Sequence, residues 1–337
     1  MIHKFKLGGF NALLDVNSGG VHIIDDLTYD LLDNVEPPFE EKCPEDVVRK
    51  LSKMYDSKDI EDCYEEIVSL YNDKILFSED DYEKYALSAV ASPIKAMCLH
   101  IAHDCNLRCK YCFASTGDFG QGRMLMDYET GKRAIDFLIE RSGDRKFLEV
   151  DFFGGEPSLN FGVVEQLVEY ARSQEEPHNK KFRFTVTTNG VHLTDEMIDF
   201  INKEMYNVVL SIDGRKEVHD HMRPFRKGAG SYELIVPKFQ KFAESRHQDK
   251  YYVRGTFTHY NLDFSEDVLH LADLGFKQIS VEPVVAQPTE DYAIREEDLP
   301  QLFEEYDKLA AEMVERHKNG NDFNFFHFMI DLEGGPC

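Results

Sequence analysis

The sequence predicts an α/β fold preceded by a small unit of strands and helices, and three observations carry that prediction. Six short apolar runs alternate with longer amphipathic ones between residues 94 and 295. This is the pattern of strands joined by helical crossovers into a parallel sheet, either open and doubly wound or a barrel left incomplete. Ahead of them, three strand patterns and three helical patterns fill residues 1–80. With 337 residues, 42% of them hydrophobic and 30% charged, the chain is long and apolar enough to bury a core in more than one unit.

The elements follow in order. Lys4 to Gly8 and Asn11 to Val16 read as strands, and Asn17-Ser18-Gly19-Gly20 supplies the turn for a return along Val21 to Asp25. Helical patterns cover Leu27 to Val35, Pro44 to Tyr55 and Ile60 to Asn72. The second has Pro44, Glu45 and Asp46 in its first turn, where the helix dipole favours acid, and an apolar stripe of Val47, Val48, Leu51 and Met54. The third repeats apolar residues on one face at Ile60, Tyr64, Ile67, Val68 and Tyr71. After an acidic stretch at Ser78 to Asp81, strands are expected at Ala96 to Ala102, Phe147 to Phe153, Arg183 to Thr187, Asn207 to Ile212, Tyr252 to Thr258 and Gln278 to Val284. Helices are expected between them at Asp127 to Arg141, Val163 to Ser173, Asp195 to Lys203, Glu233 to Phe242 and Phe264 to Leu274. A last helix covers Glu296 to His317, and Asn319 to Cys337 reads as irregular.

A formal net charge of −25 repels the phosphates that a nucleic-acid binder must neutralise, so no nucleic-acid partner is expected. The start MIHKFKLGGF lacks a long apolar run and no stretch is apolar enough to span a bilayer, which points to the cytoplasm and to no membrane partner. Seven cysteines, an odd count, include four between Cys98 and Cys112. In a reducing compartment such clustering reads as metal ligation rather than disulfide pairing.

Cys105, Cys109 and Cys112 fall on a loop leaving the first strand of the alternating region, with spacing C-x3-C-x2-C. Thiolates this close can converge on one soft site. Two readings stand on spacing alone. Zinc would need a fourth ligand from His100, His103 or Cys98, whereas a cubane iron–sulfur cluster held by three cysteines keeps one iron open for a small molecule. Cys98 lies inside the strand and is expected to be a buried, small apolar residue rather than a ligand.

The loop, with aromatic Tyr111 before its last cysteine, resembles the cluster motif of the radical S-adenosylmethionine (SAM) superfamily. Gly154-Gly155-Glu156-Pro157 after the second strand, Thr187-Thr188-Asn189-Gly190 after the third and Ser211-Ile212-Asp213-Gly214 after the fourth match that family in order. The resemblance implies a partial (β/α)6 barrel whose site gathers at the carboxyl ends of the strands. It implies a [4Fe–4S] cluster on Cys105, Cys109 and Cys112, with its open iron chelating the methionine part of S-adenosyl-L-methionine. It places Gly154, Gly155, Glu156 and Pro157 at the methionine amino group, and Ser211 and Asp213 at the carboxylate or ribose. Tyr111 and Asn189 join this cofactor-binding set, and Arg254 in the fifth strand is a candidate for the carboxylate, or else a structural arginine. An external reducing electron donor is implied as well.

Residues 1–80 resemble the winged-helix-like precursor-peptide recognition element of enzymes that modify ribosomally made peptides. That likeness implies that a leader peptide adds a strand beside Val21 to Asp25 and packs on the helix Ile60 to Asn72. The opening Met1-Ile-His-Lys-Phe5, the cysteine loop and Ser280-Val-Glu-Pro-Val284 together resemble the maturases of six-cysteine peptides (SCIFF maturases). These form thioethers between a cysteine sulfur and carbon in a cysteine-rich precursor peptide. The division implied is 1–80 for leader recognition, 94–295 for the barrel, and 296–337 for a helix and the start of a cysteine-rich, SPASM-like region that holds auxiliary clusters. Cys337 stands where the first auxiliary ligand falls. Either this is a piece of a longer protein or those clusters are absent, and none is assigned within the chain. Other peptide edits (epimerisation, carbon–carbon crosslinking), protein activation, and a leader-binding module with an inert barrel are the alternatives.

Overall fold

A computed structural model describes residues 1–80, 82 and 92–329. It divides into two compact units, one drawn from residues 1–92 and one from residues 93–329. Among the described residues no helix is long and apolar enough to cross a membrane. Cys337 lies outside the described residues, as do Asp81 and the last eight positions of the region expected at 296–337.

The first unit opens with an antiparallel sheet of β1 (Ile2–Leu7), β2 (Phe10–Asp15) and β3 (Val21–Ile24), in that spatial order. The turn is closed by Gly19 N donating to Asp15 O at 2.8 Å and Asp15 N to Gly20 O at 2.9 Å. Three helices follow: α1 (Asp26–Leu31), α2 (Glu45–Leu51) and α3 (Ser57–Asn72). Asp25 caps α1 and Asp56 caps α3 through side-chain oxygens that accept from backbone N–H groups. Leu13, Leu31, Val47, Leu51, Ile60, Tyr64 and Ile67 form the shared core. Met54, expected on the α2 stripe, is 66% exposed because the helix ends at Leu51. β3 is an edge strand, and along it Val21 and Ile23 alternate outward.

The second unit is built on an eight-stranded sheet. Its strands are β4 (Ala96–His103), β5 (Met124–Leu125), β6 (Phe147–Gly154), β7 (Lys181–Thr188), β8 (Met205–Ser211), β9 (Tyr252–Phe257), β10 (Gln278–Pro283) and β11 (Asn324–Phe325). The order β11-β10-β9-β8-β7-β6-β4-β5 is parallel throughout except for β5, and its two ends do not meet, so the barrel is partial. The helices are α4 (Tyr128–Arg141), α5 (Phe161–His178), α6 (Asp195–Glu204), α7 (Lys216–Met222), α8 (Tyr232–Ser245), α9 (Phe264–Asp273) and α10 (Leu299–Lys318). All six expected strands are present. The tail also contributes β11, which pairs with β10 where an irregular segment was expected.

Alternation along each strand separates core from site. On β6, Leu148, Val150 and Phe152 are buried in the core shared with the helices, whereas Glu149, Asp151 and Phe153 face the other way. Parallel register keeps neighbouring residues on the same face, so Ser211 of β8, Arg254 of β9 and Ser280 of β10 lie side by side opposite that core. Cys98, expected to be buried, is exposed on this second face, paired in register with Asp151.

Candidate active site

The three cysteines follow β4 on a loop whose backbone is strapped from outside. Arg108 N donates to Pro224 O at 2.8 Å, Lys110 N donates to Met222 O at 2.9 Å, and Leu107 forms an antiparallel bridge with Phe225. The Arg108 guanidinium turns back onto the carbonyls of Cys105 and Leu107, each at 2.6 Å. The Cys105 sulfur receives Leu107 N at 3.4 Å and Asn189 Nδ2 at 3.5 Å. A turn from Cys112 N to Cys109 O, 3.2 Å, brings the last two cysteines round.

Burial pushes the Cys105 thiol up to about 12, helped by the charge of Glu156, and burial takes Cys109 to about 11 against the opposing charge of Arg223. Among the described residues, no three His, Cys, Asp or Glu side chains gather closely enough around one point to hold a single metal ion. The closed zinc site with His100, His103 or Cys98 is therefore not formed. His100 is stacked on Phe119 at 4.4 Å and Cys98 lies back along β4. Three thiols on one loop suit a cubane instead, since it spreads its thiolates over separate irons.

The turn Gly154 to Pro157 seats directly against the start of the cysteine loop. Gly155 N donates to Ala102 O at 2.7 Å and Glu156 N to Asp104 O at 2.8 Å. A Cβ on Gly154 would stand 2.4 Å from Ala102 O, and one on Gly155 would stand 2.2 Å from Asp104 O, so only glycines permit this approach. Glu156 is 1% exposed, and both of its oxygens accept hydrogen bonds. Its Oε1 accepts from Thr188 Oγ1 at 2.7 Å and from Ser158 N at 3.1 Å, while Oε2 accepts from Asn189 N at 2.7 Å. Asn189 then reaches Asn106 Oδ1 at 2.8 Å as well as the Cys105 sulfur. Glu156 is thus the brace between two strand ends and the loop.

Asp213, expected at the carboxylate or ribose of SAM, is fully buried and committed elsewhere. Its carboxylate accepts from Arg223 Nε at 2.9 Å, from Thr256 N at 3.1 Å and from the Tyr111 hydroxyl, 2.7 Å from both oxygens. A carboxylate taken wholly out of water needs a counter-charge and donors, and here they come from the protein itself. Burial alone would lower the Arg223 value, and the Asp213 charge outweighs it to hold the guanidinium well above its ordinary range. Tyr111 is likewise tied down, its hydroxyl raised by burial despite Arg223 nearby. Behind them the Asp213 N–H points at His219 Nδ1, 3.3 Å away, and His219 Nε2 lies 2.9 Å from Ser231 Oγ.

Arg223 and His219 escaped the sequence reading because they belong to α7 and the strap after it, where no helix was anticipated. A buried carboxylate at Asp213 was the one signal that a cation had to be near. Ser211 and Arg254 do come together, in register on adjacent strands, with the Ile212 N–H on the Arg254 carbonyl at 2.9 Å.

Comparison with known proteins agrees with this geometry. A family model described as "Radical SAM superfamily" matches residues 99–272. The chain is similar to an uncharacterized protein of Methanocaldococcus jannaschii, 29% identical over 221 residues, covering 65% of this chain and 71% of that protein. It is also similar to the radical SAM cyclopropyl synthase TigE of Paramaledivibacter caminithermalis, 23% identical over 266 residues, covering 73% of this chain but only 54% of the synthase. Among solved structures, anSMEcpe with bound AdoMet and Kp18Cys peptide shares the fold at a TM-score of 0.60 and 19% identity, over 70% of this chain and 64% of that one.

Proposed function

Because the chain belongs to the radical SAM superfamily, we propose that it is a peptide maturase, forming thioether crosslinks from cysteine sulfur to carbon in a cysteine-rich, ribosomally made precursor. Superfamily enzymes use a [4Fe–4S] cluster and SAM. When bound, this pair supplies one-electron cleavage of SAM to methionine and a 5′-deoxyadenosyl radical, which removes a hydrogen from substrate.

In this reading Cys105, Cys109 and Cys112 hold three irons and leave the fourth to SAM. Gly154 to Pro157 presents backbone to the methionine amino group, with Glu156 fixing the turn rather than touching the ligand. Asn189 steadies Cys105. Ser211 and Arg254 offer a hydroxyl and a guanidinium on one face for the SAM carboxylate or ribose. Asp213 and Tyr111 position the loop from behind. Residues 1–80 deliver the peptide, residues 94–295 act on it, and the region from 296 leads toward a cysteine-rich segment.

The observation that carries the peptide part is the free edge of β3. Val21 is 41% and Ile23 is 68% exposed on a strand that, among the described residues, has one side unpaired, next in sequence to the helices that build the core behind it. An incoming strand finds backbone partners and apolar side chains there. The fold shared with a solved structure that holds a bound peptide supports a peptide substrate. Thioether formation rests on the resemblance to the six-cysteine maturases.

The test is anaerobic reconstitution with iron and sulfide, then reaction with SAM, reductant and a cognate cysteine-rich peptide. The expected product is lighter by two hydrogens and has lost one free thiol. Deoxyadenosine formed with an unmodified peptide refutes the thioether reading. A product of unchanged mass with an inverted residue shows epimerisation instead. Cys105→Ala should bind less iron and release no deoxyadenosine.

A further inference from the structure

We infer that Asp151, on the inner wall of the partial barrel, is the subsite for a lysine side chain of the peptide substrate. The inference rests on the reading of a peptide substrate and deepens it. Asp151 lies on the face of β6 turned away from the helices, three residues before Gly154 and so roughly 10 Å back along the strand from that turn. Its Oδ1 is sealed from solvent without a hydrogen-bond partner, and among the described residues no donor or cation reaches the other oxygen. Burial alone pushes the carboxyl up to about 6, so near pH 7 it is still mainly an anion.

The other charges on this face have partners. Glu149, two residues earlier on β6, holds Lys95 at 3.1 Å. Arg183, in register with Glu149 on β7, lies over the rings of Phe147 and Tyr206 at 4.8 and 4.7 Å. Glu282 of β10 accepts from Ser280 Oγ at 2.5 Å and lies 2.7 Å from His327 Nε2, and Arg254 acts on Tyr252 and Glu282. The Asp151 charge is felt by Cys98 and Tyr252, and neither side chain can answer it with a positive one.

An uncompensated carboxylate in a partly buried wall costs stability that an incoming cation restores. A neutral donor would fill one oxygen and leave the charge standing. With Oδ1 sealed, a single oxygen is presented, which suits the point charge of a lysine ammonium and not the two-pronged guanidinium of arginine. Phe153 stands next on the same face of β6 and Tyr252 lies within reach of the Asp151 charge, so aromatic rings flank the path of the aliphatic stem. That stem sets the lysine backbone between Asp151 and the Gly154 turn, beside the residue that loses hydrogen. A net charge of −25 favours a basic peptide over an acidic one.

Cys98 reports on this subsite, because it is exposed in register with Asp151, one strand spacing or about 5 Å away. The reconstituted protein is labelled with 2-aminoethyl methanethiosulfonate, an alkylammonium reagent, and separately with neutral methyl methanethiosulfonate. Attachment to Cys98 is followed by peptide mass. In both cases the Cys98 thiolate attacks the reagent's sulfur and displaces methanesulfinate, so the ratio of the two rates cancels any change in the thiol itself. That ratio should fall at least about tenfold in Asp151→Asn, which removes the charge and keeps the shape, and as far in Asp151→Ser. In the crosslinking assay, replacing the precursor lysine nearest the crosslink by methionine should slow product formation about tenfold in wild type and hardly at all in Asp151→Asn.

A labelling ratio that both variants leave unchanged overturns the subsite. A precursor whose lysines can all be replaced by methionine without loss overturns it too, and so does an arginine that serves as well as the lysine. Deoxyadenosine formed without a crosslinked peptide refutes the thioether reading instead, and the labelling ratio then decides Asp151 by itself.

Discussion

Removing either side of the Asp213–Arg223 pair is the sharpest perturbation the structure offers. Asp213 is fully buried and Arg223 nearly so, 2.9 Å apart, with Tyr111 and Thr256 N–H completing the carboxylate's partners. Asp213→Ala leaves a guanidinium buried without its counter-charge, and Arg223→Met leaves a carboxylate with one hydroxyl and one amide. Breaking a buried pair from one side costs about 3–5 kcal/mol, while replacing both partners with apolar residues is often near neutral. Each single variant should therefore lose about 3–5 kcal/mol in urea unfolding of the iron-free protein, and Asp213→Leu/Arg223→Met should recover most of it. The coupling matters for the site because Tyr111 hangs from Asp213 and sits one residue before Cys112. The single variants should also take up less iron on reconstitution. Single variants that each cost under about 1 kcal/mol, or a double variant whose loss is the plain sum, would refute the view that this pair braces the cluster loop.

Three further outcomes are expected. Burial lowers His219 from its ordinary 6.5 to about 4, so its folded value is depressed; the stability it confers is whole above pH 6.5 and is lost as pH falls through about 4. That loss is worth about 3 kcal/mol, and wild type should shed that much more stability than His219→Gln between pH 7 and 4, whereas parallel curves would show that His219 does not titrate this way. Gly155→Ala places a carbon 2.2 Å from Asp104 O and 2.7 Å from Gly117 O, and should cost about 3 kcal/mol or more in denaturant unfolding, while a loss under 1 kcal/mol would mean the turn can shift. Ile23→Lys, on an exposed edge position, should change stability by less than about 0.5 kcal/mol yet weaken binding of a fluorescent leader peptide about tenfold; unchanged binding would move the leader away from β3.

The strands were legible because each is a short apolar run closed by glycine, asparagine or a helix cap. Asp127 and Thr194, for example, do cap α4 and α6. The cysteine spacing and the Gly154-Gly155 turn were legible because few residue patterns serve those purposes. The roles of the acids were not. Sequence position put Glu156 and Asp213 at the ends of strands, where ligands bind, and it carried no information about which oxygen was already taken. α7 was missed since Lys216–Met222 is short and polar, with His219 and Met222 as its only buried residues. Cys98 was misjudged because strand alternation tells that faces differ without telling which one meets the helices.

Glu156 and Asp213 together change what the motifs of this site do. Both are almost wholly inaccessible, both have their oxygens filled by backbone and side-chain donors, and each ties the cysteine loop region to strand ends that lie apart in sequence. A carboxylate so engaged resists being drawn toward a ligand ammonium, because every donor it abandons would be left unpaired in the interior. The loop is therefore held from two sides before any cofactor arrives: through Glu156 and Asn189 at Cys105, and through Asp213 and Tyr111 beside Cys112. Preorganisation of that kind places the cost of ordering three thiols on folding rather than on cofactor binding. In the proposed reading, contacts with a bound sulfonium then fall to backbone atoms and to Ser211 and Arg254, which lie in register on adjacent strands.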